Sequence, residues 1–83
     1  MWEIRFSETA SKEFSKLDKP VAKRLMNFLE ERVVTLEDPR NLGKALRGHL
    51  GELWSYRVGD FRIIADIQDK KLCILILKTG HRR

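Results

Sequence analysis

Tyr56-Arg57-Val58-Gly59-Asp60-Phe61-Arg62-Ile63-Ile64 is the stretch that decides the fold. Glycine at the first central position of a two-residue loop is the signature of a type II′ hairpin, so Gly59-Asp60 joins two antiparallel strands with Val58 opposite Phe61. The register then runs outward. Tyr56 faces Ile63 and Trp54 faces Ala65 on one side of the sheet, while Arg57 faces Arg62 on the other, flanked by Ser55 and Ile64. The first face is apolar enough to pack on helices. On the second, two like charges meet, a repulsion of a few tenths up to about 1 kcal/mol. Asp66 shares that second face but stands four residues beyond Arg62, about 13 Å at the rise of a strand, which makes it a poor neutralising partner. Two readings fit the arginine pair: a solvated face whose long side chains splay apart, or a phosphate site, where an anion turns the repulsion into attraction.

The flanking elements follow from periodicity. Downstream, a turn near Asp69-Lys70 separates the strand Phe61 to Ile67 from another, Leu72 to Lys78. Its apolar run implies a central strand covered on both faces, with Cys73 a buried, inert thiol. Upstream, the hairpin's first strand begins at Leu53, and 40–51, with three glycines, reads as a loop with one helical turn around Lys44 to Leu46 and with His49 at the surface. At the start of the chain, Trp2, Ile4 and Phe6 alternate with Glu3 and Arg5, the period of a half-buried strand. Ser7 then caps a helix whose Ala10, Phe14 and Leu17 share one side. Asp18-Lys19-Pro20 opens a second, longer helix with Val21, Leu25, Phe28, Leu29, Val33 and Leu36 in one stripe, and Asp38-Pro39 ends it. The fold class is α+β in the order β-α-α-β-β-β, a helical hairpin packed on one face of a small, largely antiparallel twisted sheet. By alternation Trp2, Trp54 and Tyr56 belong to the core rather than to a base-stacking platform. His81, after Gly80 and before two arginines, is expected to be exposed.

Composition bounds what such a fold can be. At 83 residues and 9.8 kDa the chain is expected to be a single domain, 1–83, since two cores of about forty residues each would need disulfides or metals. It is 42% hydrophobic and 35% charged, enough apolar surface for one core and against disorder. The longest apolar run is the six residues of 72–77, too short to span a membrane, and the alternating charges near the start do not form a signal peptide, so a cytoplasmic protein is expected. One cysteine and two histidines fill neither a disulfide framework nor a four-ligand zinc site, so no metal and no cofactor is expected. The net charge of +5 lies wholly in 43–83, where Lys44, Arg47, Arg57, Arg62, Lys70, Lys71, Lys78, Arg82 and Arg83 face only Glu52, Asp60, Asp66 and Asp69. A polyanion, if there is one, meets the second half; a surplus for solubility alone fits equally.

The element order, together with Leu46-Arg47-Gly48, Tyr56-Arg57-Val58-Gly59-Asp60-Phe61-Arg62 and Gly80-His81-Arg82-Arg83, resembles the RelE/ParE superfamily of type II toxins over essentially the whole chain. The Gly-His-Arg ending looks more like the RelE ribonuclease branch than the ParE gyrase-poison branch. That resemblance implies a toxin that enters the ribosomal A site and cuts messenger RNA, and that a cognate RelB-like antitoxin holds inactive in a hetero-oligomer. It further implies that Arg62 and Arg82 stabilise transition-state charge, that Arg57 takes the role of basic side chains on the preceding strand, and that Lys44, Arg47 and Arg83 hold RNA or ribosomal backbone. RNA supplies its own nucleophile, the 2′-hydroxyl, so such an enzyme works by positioning, cationic charge and proton transfer. Many members place a tyrosine a few residues past this ending for proton transfer. The sequence stops at Arg83, which leaves His81 as the candidate proton-transfer group. Two other expectations stay open: a ParE-like inhibitor of DNA gyrase, and a catalytically disarmed module that only binds antitoxin.

Overall fold

The computed structural model describes residues 2–48 and 51–81. Two helices lie against a five-stranded sheet in the order β1-β5-β4-β3-β2, where β1 is Glu3–Phe6, β2 Lys44–Gly48, β3 Gly51–Val58, β4 Phe61–Gln68 and β5 Cys73–His81. Among the described residues only the β1–β5 pair is parallel. The expected α+β class is what forms, and the hairpin register is the expected one: Val58 with Phe61, Arg57 with Arg62, Tyr56 with Ile63, Trp54 with Ala65. Gly59 has φ +60 and Asp60 is not in the left-handed region, which separates the type II′ turn from type I′, where both central residues need positive φ.

Helix α1, Glu8–Ser15, starts as expected, with the Ser7 hydroxyl accepting the Ala10 N–H at 3.0 Å. Helix α2, Lys19–Phe28, starts at Asp18 with proline in its first turn. It does not run on to Asp38. At Leu29–Val33 it widens into a π-helical turn, marked by the Val34 N–H bonding to the Leu29 carbonyl at 2.9 Å. Side chains four apart drift by about 40° per step on an α-helix, and the wider turn absorbs that drift, so Leu25, Leu29 and Val33 are all fully buried. Asp38 instead caps a short 3-10 turn, Pro39–Leu42, through its carboxylate and the Arg40 N–H.

The expected loop with a helical turn around Lys44 to Leu46 is corrected: the segment is strand β2, paired antiparallel with β3 from Lys44–Ser55 to Gly48–Gly51. Hydrogen bonding to the neighbouring strand outweighs the weak local pattern. Gly43 leads into it, pressed so closely on Tyr56 that a Cβ would stand 3.1 Å from the ring. Strand β5 also runs further than expected, so Thr79, Gly80 and His81 lie in the strand rather than after it.

The helices cover one face only. Ala10, Leu25, Leu29 and Val33 pack on Tyr56, Val58, Ile63, Ala65, Ile74 and Ile76, with Trp2, Trp54 and Phe61 half-buried around them. The Tyr56 hydroxyl donates to the Pro39 carbonyl, tying the 3-10 turn to the sheet. Arg40 bonds Asp69 and Asp38 and lies 5.9 Å over the Trp54 ring, locking the same end. Cys73 is buried as expected, but helices do not cover both faces of its strand. It shares a shallow cavity on the uncovered face with Glu3, Arg5, Gln68 and Lys71. No helix among the described residues is long and apolar enough to cross a membrane.

Candidate functional site

The face without helices carries the candidate site. Alternation puts Arg57 and Arg62 there, opposite one another on β3 and β4, both exposed, and the next row across the sheet runs Lys44, Ser55, Ile64, Lys78 through β2, β3, β4 and β5. Four strands therefore each contribute one cation to one surface. Among the described residues none of the four takes part in an ion pair; the pairs that form lie elsewhere, Arg5 with Glu3, Lys12 with Glu8, and Arg40 with Asp38 and Asp69. Asp66, the nearest acid along β4, is turned to its neighbour and accepts from the Gln68 amide at 3.2 Å. The repulsion between Arg57 and Arg62 is thus left uncompensated by the protein, the condition under which an anionic ligand gains most.

Gly80 sits directly beside Arg62 in the ladder, and a Cβ built on it meets nothing within 4 Å. Packing does not require this glycine. Its missing side chain leaves open space next to the guanidinium. A cavity of about 270 Å³ occupies that space, lined by Arg62, Lys78, Gly80 and His81 and, from α1, by Glu13. His81 also borders this cavity and is exposed; its ring lies 4.4 Å from that of its cross-strand partner Phe61 and tilted 33° to it, on the other side of the strand from Arg62 and Gly80. Two cationic residues, a histidine and one carboxylate thus line the cavity.

Tyr56 does not belong to this set. It is fully buried on the helix face, and burial pushes its hydroxyl up to about 12, so it stays protonated at neutral pH and serves the core.

Of the residues expected from sequence, Arg57, Arg62 and Lys44 share the open face, and His81 lines the cavity with Arg62. Arg82, Arg83 and His49 lie outside the described residues, as does the side chain of Arg47, whose backbone pairs with Glu52. The reading from sequence missed Lys78, Gly80 and Glu13. Lys78 comes into line with Ile64 only because of an irregularity between Ile64 and Ala65, after which Ala65 pairs with Ile76 and Leu77 is skipped. A bulge of that kind leaves no local signature. Arg24 of α2 was missed too: its guanidinium would stand 2.6 Å from a Cβ on Gly59, so the turn glycine serves both its φ and this close approach.

Known proteins resemble this chain in sequence and fold. The family model described as ParE toxin of type II toxin-antitoxin system, parDE, matches residues 4–83. Toxin RelE of Mycobacterium tuberculosis is 31% identical over 81 residues, covering 98% of this chain and 81% of that protein. Toxin RelG of the same species is 29% identical over 79 residues, covering 95% and 88%. Among solved structures, a chain of the RelBE2 toxin-antitoxin complex of Mycobacterium tuberculosis superposes with a TM-score of 0.85 at 28% identity, covering 98% of this chain and 91% of that one. The isolated RelE toxin of E. coli, at 22% identity, shares the fold with a TM-score of 0.79 over 100% and 86% of the two chains.

Proposed function

The chain belongs to the RelE/ParE superfamily of type II toxin-antitoxin toxins, and from that footing we propose that it is a ribosome-dependent messenger RNA endonuclease that inhibits translation. The observation that carries this reading is the facing pair Arg57 and Arg62, without ion-pair partners among the described residues, beside the void left by Gly80. A solubility surplus has no need of an empty cavity beside its charges.

In the proposed reaction the 2′-oxygen attacks the adjacent phosphorus and the bond from phosphorus to the 5′-oxygen of the next nucleotide breaks, leaving a 2′,3′-cyclic phosphate and a 5′-hydroxyl. One proton leaves the 2′-hydroxyl and one reaches the departing oxygen. Arg62, with Arg82 as the resemblance implies, stabilises the charge of the phosphorane. Arg57 and Lys44 hold the flanking backbone, joined by Arg47 and Arg83 on the same footing. His81 moves the protons, since an imidazole can both accept and donate one. The whole chain acts as one toxin domain, in the cytoplasm where its ribosomal target is.

A cognate RelB-type antitoxin is the proposed partner, supported by the RelB-RelE complexes among the structural neighbours. Acidic groups laid over Arg57 and Arg62 would neutralise the open face, so affinity for it is expected to fall with salt. The family description names ParE, which keeps one alternative in view, inhibition of DNA gyrase on the same fold. The two readings separate in one pair of assays. Messenger RNA ends are mapped by primer extension in a reconstituted translation reaction, with and without ribosomes, beside a gyrase supercoiling assay. Cleavage that needs ribosomes supports the nuclease; inhibited supercoiling without cleavage replaces it with the gyrase reading.

A further inference from the structure

Strand β5 is nine residues long and β1 only four, so β1 covers the outer edge of β5 from Cys73 to Ile76 and then stops. The cavity-lining residues Lys78, Gly80 and His81 all lie on the part beyond it. Backbone groups on that exposed edge need partners from elsewhere. Ser7, the N-cap of α1, and Glu13 within that helix provide them. The Ser7 N–H bonds to the Ile76 carbonyl at 2.9 Å, the Ser7 hydroxyl donates to the Leu77 carbonyl at 3.3 Å, and the Glu13 carboxylate accepts the Thr79 N–H at 3.0 Å. The Thr79 hydroxyl is buried with no partner among the described residues, so the backbone contact to Glu13 is its hydrogen-bonded anchor there.

Resting on the nuclease reading, we propose that Glu13 is a positioning residue for it: by accepting the Thr79 N–H it stands in for the missing strand and holds Lys78, Gly80 and His81 at the height of Arg62. A carboxylate would otherwise be misplaced in a cavity meant for a phosphate, since it repels the ligand. With Oε1 engaged by the strand, Glu13 lines the wall without competing for Arg62, with which it forms no ion pair among the described residues. Displacing the strand end by an ångström moves His81 and Lys78 relative to the reacting phosphate, and misplacement on that scale can cost about 100-fold in rate.

The test compares wild type, Glu13→Ala and Glu13→Gln by amide exchange at Thr79 and by single-turnover cleavage on programmed ribosomes. Glu13→Ala is expected to speed exchange at Thr79 and lower cleavage about 100-fold, while Glu13→Gln, whose amide oxygen still accepts the N–H, restores both. Glu13→Asp, one methylene short of the strand, replaces the alanine variant if that one does not fold. Wild-type cleavage by Glu13→Ala overturns the inference and leaves the nuclease reading standing. A Gln variant as slow as the Ala variant also overturns it, because charge rather than the backbone contact would then be at work. If wild type itself does not cleave, the nuclease reading fails and the catalytic role of Glu13 falls with it, whereas the exchange measurement still decides whether the carboxylate holds the strand.

Discussion

The two faces of one sheet are built to opposite specifications from alternate residues of the same strands. Tyr56, Val58, Ile63 and Ala65 point into a core closed by α1 and α2, where the Tyr56 hydroxyl, the polar group at its centre, is satisfied by Pro39. One position away, Arg57, Arg62 and, on β5, Lys78 point into the open with no ion-pair partner among the described residues, and Gly80 leaves a cavity beside Arg62 and Lys78. On the first face apolar packing and the Tyr56 hydrogen bond favour the folded chain. On the second the protein keeps like charges adjacent, a repulsion that an anionic ligand would relieve. Neighbouring residues should therefore separate stability from activity.

The widest contrast is expected between Ile63→Ala and Arg62→Ala. Ile63 is fully buried, and truncating it should cost about 2–5 kcal/mol. At roughly 4–8 °C per kcal/mol for a domain of this size, a thermal melt followed by circular dichroism should show a drop of ten degrees or more, with cleavage lost through unfolding. Arg62→Ala should melt at or slightly above the wild-type temperature, since a repulsion is relieved, yet lose about 10²–10³-fold in cleavage rate, the scale for removing one donor to transition-state charge.

Gly80→Val sharpens the comparison by filling the void without touching a charge. Valine favours strands over glycine by up to about 1 kcal/mol, and space for its Cβ is open, so the melt should hold or rise while cleavage falls. A smaller effect is expected for Tyr56→Phe, which deletes the bond to Pro39 and should cost about 0.5–1.5 kcal/mol. Its cleavage profile against pH should match wild type, because a hydroxyl pushed up to about 12 titrates outside the working range.

The smallest effect concerns Asp69, whose carboxyl the Arg40 guanidinium holds below the usual carboxylate range. A folded-state pKa below the unfolded one contributes stability that is present above the unfolded value, near 3.9, and is lost as pH falls through the folded one. Asp69→Asn should therefore narrow its stability gap to wild type when melts are repeated on acidification below about pH 4, and leave cleavage at neutral pH unchanged.

What could be read from sequence follows the range of the interactions involved. The hairpin was legible because a two-residue loop with glycine at its first position sets the parity of both strands, and with it the facing arginines. The Ser7 cap was legible for the same reason, its bond spanning three residues. Strand β2 was not, since its pairing with β3 outweighs a glycine-rich local pattern, nor was the π-helical turn, which answers to burial of Leu29 and Val33 rather than to any residue in it. In the candidate site, Arg57, Arg62, Lys44 and His81 were within reach of motif and alternation. Lys78 depends on a bulge, and Glu13 acts across 66 residues of chain, beyond any periodicity.

The division of labour between the two faces is tested most directly by one variant measured two ways: Arg62→Ala, melted alone and then followed in single-turnover cleavage of messenger RNA on programmed ribosomes beside wild type. An unchanged or raised melting temperature with cleavage reduced about 10²–10³-fold is the predicted result. Cleavage at the wild-type rate by the folded variant would contradict it, and would mean that the open cationic face is not where the chemistry happens.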